Sequence, residues 1–206
     1  MDEDYFAASK PKKHRSVYGW GINDVNHACF HKGKTWTPYV IWREMIGRCY
    51  SQRIKQKYPT YAECSACEGW RYFSNFKRWF EDPANGYRES YHLDKDILVK
   101  GNKVYSPDTC CFVPKEINKI FTKSQRARGP YPIGVTKNWS HYQAVLLQYN
   151  KHLYLGTFNT PEEAFAAYKT AKEAYIKEVA TAYYNEGKIT EKVYNALMNY
   201  QVEITD

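Results

Sequence analysis

In "TPYVIWREMIGRCYS", residues 37 to 51, the apolar side chains Val40, Trp42, Met45, Ile46 and Cys49 return at intervals close to one helical face. Pro38, with its fixed φ and missing N–H, suits the first turn of that helix. The pattern recurs in "CEGWRYFSNFKRWFED", where Trp70, Phe73, Phe76, Trp79 and Phe80 form a second apolar stripe. Helical spacing makes these aromatics core groups rather than base-stacking ones. The period then changes. In "YHLDKDILVKGNKVYSPDTCCFVPKEINKIF" the first half reads as a strand, "KGNK" as a turn, "KVYS" and "CCFV" as extended chain, and "PKEINKIF" as a helix opened by Pro114. The order is β, β, α.

"KSQRARGP" is basic, holds Gly and Pro, and reads as a linker. Beyond it "YPIGVTK", "YQAVLLQYN" and "HLYLGTF" predict three short strands, the last two joined tightly around Asn150 and Lys151. "NTPEEAFAAYKTAKEAYIKEVATAYY" predicts a helix with Thr160 as N-cap, Pro161 at the first helical position and Glu163 closing a capping box. Its stripe of Ala164, Tyr168, Ala171, Tyr175 and Val179 covers one face of the sheet and leaves the other free. The expected fold class is α+β: a helical N-terminal part with an embedded ββα hairpin-helix, then a three-stranded antiparallel sheet packed on one helix. The expected divisions are 1–125, 126–180 and a helical extension over 181–206.

Charge and composition narrow the function. The 206 residues carry 30 Lys and Arg against 22 Asp and Glu, a net +8 with a pI near 9.0. That balance suits a polyanionic partner. The surplus sits before residue 181, since 181 to 206 holds 2 basic and 4 acidic residues. No apolar run is long enough to span a bilayer, and "MDEDYFAASKPKKHR" has no apolar core, so neither a membrane span nor a secretory signal is expected and a cytoplasmic setting is. The six cysteines are then expected as reduced core thiols. Cys64-x-x-Cys67 with Cys110-Cys111 leaves a structural Zn²⁺ site open, completed by Cys49 or Cys29, although adjacent cysteines make poor zinc geometry. "GWGIND" lacks the spacing and the helix start of a phosphate loop.

The stretch "IGVTKNWSHYQAVLLQYNKHLYLGTFNTPEEAFAAYKTA" resembles the plant Apetala-type (ethylene-response-factor) DNA-binding domain, through Gly134-Val135, Trp139, Ala144, "YLGTF", "EEA" and Ala167-Tyr168. The resemblance implies a sheet that enters the major groove of double-stranded DNA. Its DNA-facing positions would be Thr136, Asn138, Trp139, Val145, Leu147, His152 and Tyr154, with phosphate contacts from Arg126, Arg128, Lys137 and Lys151. The plant domains are rich in arginine at these positions and this sequence is not.

The ββα unit resembles the HNH (ββα-metal) nucleases of phage and intron type, on "CCFVPKEIN" and the preceding Asp94-Lys95. The "YGWGIND", "WREMIGRCYS" and "FSNFKRWF" segments are similar to phage-encoded HNH-like proteins, so the resemblance spans nearly the whole chain. It implies an endonuclease or nickase that uses Mg²⁺ or Mn²⁺ to hydrolyse phosphodiester bonds, in the cytoplasm of a bacterial host. Asp94 and Asn118 match the metal positions and Asn102 the loop residue that supports the base. Lys95 stands where the family has a base histidine, and a lysine takes a proton only when its pKa is much lowered. On a regular strand His92, Asp94 and Asp96 would share one face, offering His92 as base and Asp96 as a further metal ligand; a bulge would reverse this. The other reading is an HNH-like DNA-binding or host-defence interaction protein without catalysis, and a structural or RNA-binding protein is a third. Monomeric nicking and homodimeric cutting both stay open.

Overall fold

The computed structural model describes residues 16–26, 29–31, 33–121 and 130–206. The fold is α+β, with a helical N-terminal region carrying small sheets and then a three-stranded antiparallel sheet on a long helix. The chain divides into two compact units, Met1–Val113 and Pro114–Asp206.

In the first unit, β1 (Phe30–His31) and β2 (Lys34–Thr35) form a short hairpin that leads into α1 (Thr37–Tyr50), followed by α2 (Gln52–Lys57). The buried face of α1 is Pro38, Trp42, Met45, Ile46, Gly47 and Cys49, the expected stripe apart from Val40, which is half-buried. The second aromatic stripe is divided. Trp70 lies in a 3₁₀ turn, Glu68–Arg71, and α2 is followed in sequence by β3 (Ser65–Ala66) and then α3 (Phe73–Glu81). Trp42 donates its indole N–H to the Trp70 carbonyl (2.7 Å), which pairs the polar end of a fully buried ring. Phe73 meets Trp42 and Trp36, and Phe76 meets Trp70 edge-on at 5.0 Å.

The ββα stretch is paired differently from its order in sequence. β4 (His92–Asp94) pairs antiparallel with β6 (Cys111–Val113), and β5 (Val104–Tyr105) runs parallel to β3. Phe112 in β6 is 1% exposed and packs against Trp79, Phe80 and Tyr87, so the aromatic core fixes β6 and β6 fixes β4.

The second unit opens with α4 (Lys115–Ile120). Its sheet has the order β7 (Val135–Asn138), β8 (His141–Gln148), β9 (Lys151–Phe158). The β8–β9 turn is Tyr149-Asn150, one residue earlier than the sequence suggests, because both residues take left-handed backbone (φ 49° and 59°) as a two-residue hairpin turn requires. The partners Ala144↔Gly156 and Val145↔Tyr154 leave Leu155 as a one-residue bulge. α5 (Pro161–Asn185) starts at the expected capping box: Thr160 accepts from Glu163 N, and the Glu163 carboxylate accepts from Thr160 N. Its 25 residues run about 37 Å, against about 27 Å for an eight-residue strand, so the helix outreaches the sheet and its later turns pack on α6 (Glu191–Met198). Ala164, Phe165, Tyr168, Tyr175, Ile176 and Val179 are buried, while Ala171 on the same stripe is half-buried. At the entry to β7, Gly134 has φ 76°, and a Cβ there would lie 2.0 Å from the Tyr168 ring. Among the described residues, no helix is long and apolar enough to cross a membrane.

Candidate functional site

The register of the sheet decides which side chains act together, because directly paired residues point to the same face. Val135 pairs with Ala144, and both are buried beneath α5. The alternate set therefore faces away from the helix: Thr136 with Gln143, Asn138 with His141, Val145 with Tyr154, and Leu147 with His152. Of the seven positions that the Apetala resemblance marks as DNA-facing, six fall on this one face. The seventh, Trp139, occupies the β7–β8 turn with φ 54° and is 93% exposed. Tyr154 and Leu147 are exposed by 56% and 53%. Tyr154 and Thr157 hold one another's hydroxyls at 2.6 Å, and Ser140 Oγ lies 2.9 Å from His141 Nδ1.

The sequence reading missed Gln143 and His141 as members of this face; strict alternation from Thr136 through the hairpin would have found them. Lys137 and Lys151 pair with Tyr142 and Gln148, on the opposite parity, so they flank the face rather than stand on it. Arg126 and Arg128 lie outside the described residues.

The region around Asp94 has other physics. β4 ends at Asp94, and Asp94 Oδ1 accepts from Asp96 N (2.7 Å) and Ile97 N (2.8 Å), bending the chain into a turn. The side-chain parity that would group His92, Asp94 and Asp96 needs a regular strand as far as Asp96, and the strand stops two residues short of it. His92 and Asp96 are exposed and Asp94 is half-buried. Burial pushes the Asp94 carboxyl above the usual carboxylate range, opposed by its two backbone hydrogen bonds. Its Oδ2 has no hydrogen-bond partner among the described residues.

Lys95 is 7% exposed. Its Nζ donates to Asp96 Oδ1 and to Asn102 O (2.9 Å), and it stands 5.9 Å from the centre of the Tyr105 ring. Lys95 is thereby held in place by these partners on either side of the turn. The Asn102 side chain is committed to backbone: Nδ2 donates to Lys95 O (2.9 Å) and Val104 O (2.7 Å), and Oδ1 accepts from Val104 N (3.2 Å). Asn102 thus shapes the loop between β4 and β5. Asn118 sits on α4, in the second unit, where its backbone N–H donates to Pro114 O (3.1 Å).

The cysteines are free thiols. Burial pushes Cys49 and Cys110 up to about 12, which makes them poor nucleophiles at neutral pH. Among the described residues no group of three or more His, Cys, Asp and Glu side chains is arranged to hold a metal ion. Asp94 Oδ2 is a hard oxygen of the kind Mg²⁺ and Mn²⁺ prefer, but one carboxylate oxygen does not by itself make a cation site.

No family model matches the chain, and neither a curated protein nor a solved structure matches it.

Proposed function

We propose that the chain binds duplex DNA through the free face of its three-stranded sheet. The observation that carries this reading is the face itself, where eight alternate-parity residues from three strands lie together beside the exposed Trp139. B-DNA's major groove is about 12 Å wide, and three strands at about 4.8 Å spacing span about 10 Å, so the sheet fits it edge to edge. The deep, narrow major groove of an RNA duplex offers no such entry.

The chemistry of the face also suggests what it reads. Asn138 and Gln143 are the side-chain types that pair with the adenine major-groove edge, and Val145 and Leu147 suit the thymine methyl. Among the described residues no Arg or Lys stands on the face to pair with guanine. The expected target is therefore A·T-containing. Selection of bound duplexes from a random-sequence pool tests this, with uracil then replacing thymine in the selected site. Enrichment of A·T steps and weaker binding to the uracil duplex support the reading; sequence-independent binding, or equal affinity for the two duplexes, counts against it.

A second reading adds chemistry and rests on Asp94 Oδ2, which has no hydrogen-bond partner among the described residues. Asp94, which the resemblance marks as a metal position, would hold Mg²⁺ or Mn²⁺, and the metal would supply charge stabilisation to a phosphodiester undergoing hydrolysis. In this chain Asp94 is fixed by its own turn and Lys95 by Asp96 and Asn102. His92, exposed at the start of β4, is the remaining candidate base. DNA binding without catalysis is the alternative, and plasmid nicking separates the two.

A further inference from the structure

Where β7 begins, the free face passes round the margin of the sheet into a groove of about 740 Å³. Val145, Leu147 and His152 reach it from the sheet, and Lys172, Tyr175 and Val179 from α5. Its walls are mostly apolar, and Lys172 is the most deeply placed of the charged groups that line it beside Glu116 and Lys119. The ammonium is half-buried, donates one hydrogen bond among the described residues, to Ile120 O (2.9 Å), and lies 6.0 Å from the centre of the Tyr175 ring. No carboxylate pairs with it among the described residues. A lysine desolvated this far without an acidic partner is costly to keep, and two of its N–H groups remain to be satisfied.

We propose that this groove is an anion site in which Lys172 takes a backbone phosphate of the duplex engaged by the sheet. The inference rests on the DNA-binding reading given above and extends the contact from the sheet to the helix behind it. Its geometric basis is the fit of the sheet: a ribbon that fills the major groove has a phosphate backbone along each margin, and the groove lies on such a margin. A phosphate accepts the two unused donors and supplies the missing negative charge.

The protonation of Lys172 makes the contact readable. Burial lowers its pKa to about 8, and a bound phosphate would raise it again. Affinity should then be greatest below pH 8 and fall as pH rises toward 9. The other titratable groups lining the groove are Glu116 and Lys119 from α4, His152 from β9, Tyr149 from the β8–β9 turn, and Tyr168, Tyr175 and Tyr183 from α5. Of these, Tyr149 and Tyr183 are pushed upward, away from this range.

The test is fluorescence anisotropy of the full chain on a labelled duplex, over a range of salt concentration and from pH 7 to 9, with Lys172→Met, Lys172→Arg and His152→Gln beside the wild type. The expected results at pH 7 are about tenfold weaker binding by Lys172→Met and a log-affinity against log-salt slope shallower by about one. Wild type and His152→Gln should weaken between pH 7 and 9, and Lys172→Arg should not. A purely structural role through the Ile120 bond would lower affinity while leaving the salt slope and the pH step in place, and that result overturns the proposal. So does a pH step that vanishes in His152→Gln. Failure of the wild type to bind any duplex removes the DNA-binding reading and this site with it, whereas binding that ignores Lys172 removes this site alone.

Discussion

Asn102 and Lys172 show at single residues how polar groups in this chain are committed. Asn102 spends its whole amide on three backbone hydrogen bonds, each worth about 1 kcal/mol net. Asn102→Ala should lower stability by about 2–3 kcal/mol in thermal or urea denaturation. Asn102→Asp should be worse than alanine although it is closer in shape, because an oxygen then faces the carbonyls of Lys95 and Val104. The reverse ranking would mean that the loop does not depend on this residue. For Lys172 the linkage has a definite sign. The pKa is depressed in the folded state to about 8, against about 10.4 unfolded, so the stabilising contribution is full above the unfolded value and is lost as pH falls through 8. Relative to Lys172→Met, the wild type should gain stability from pH 7 to 10, by at most about 3 kcal/mol. Parallel stability curves for the two proteins would show that the amine is not desolvated.

Among the elements, the sheet depends on close approach as well as on apolar pattern. Gly134→Ala sets a methyl group into the Tyr168 ring and asks alanine to hold φ 76°, so it should destabilise the second unit by about 2–4 kcal/mol. Thr160→Ala removes one arm of the capping box and should cost about 1 kcal/mol. Denaturation of both variants checks the ranking; a milder effect at Gly134 than at Thr160 would contradict the packing of α5 on β7. The face read by the alternate residues of β7, β8 and β9 should survive the Thr160 substitution, since the cap lies on the helix.

The net charge of +8 belongs to the whole molecule, and duplex binding should weaken steeply as salt rises. Binding should not need Mg²⁺, whereas any strand cleavage should need Mg²⁺ or Mn²⁺ and should be abolished by Asp94→Ala. The informative measurement is plasmid nicking by wild type, Asp94→Ala, Asn118→Ala, His92→Ala and Lys95→Ala, each shown first to bind DNA. Equal cleavage by wild type and Asp94→Ala would remove the catalytic role of the β4 turn. Cleavage that survives Lys95→Ala but not His92→Ala would place the base at His92.

Local signals carried much of the architecture in the sequence alone: the apolar stripe of α1, the Thr160 to Glu163 box and the hairpin over residues 142 to 158, whereas the shared face of Thr136, Asn138, Val145, Leu147, His152 and Tyr154 came from the Apetala resemblance and is set by the register. The stripe, the box and the hairpin are fixed by neighbours a few residues apart, through helical spacing, capping hydrogen bonds or strand pleat. Pairing across distance was not legible. β4 joins β6 rather than β5 because Phe112 is drawn into the aromatic core, and β5 runs beside β3 from far earlier in the chain. The end of the strand at Asp94 was hidden too, since the residue that looked like a metal ligand uses one oxygen to bend its own backbone. Nor does the sequence announce Lys172, whose desolvation arises only when α4, α5 and the sheet margin close round one amine. Periodicity and capping are written within one element, whereas burial of a charge depends on what distant elements place against it.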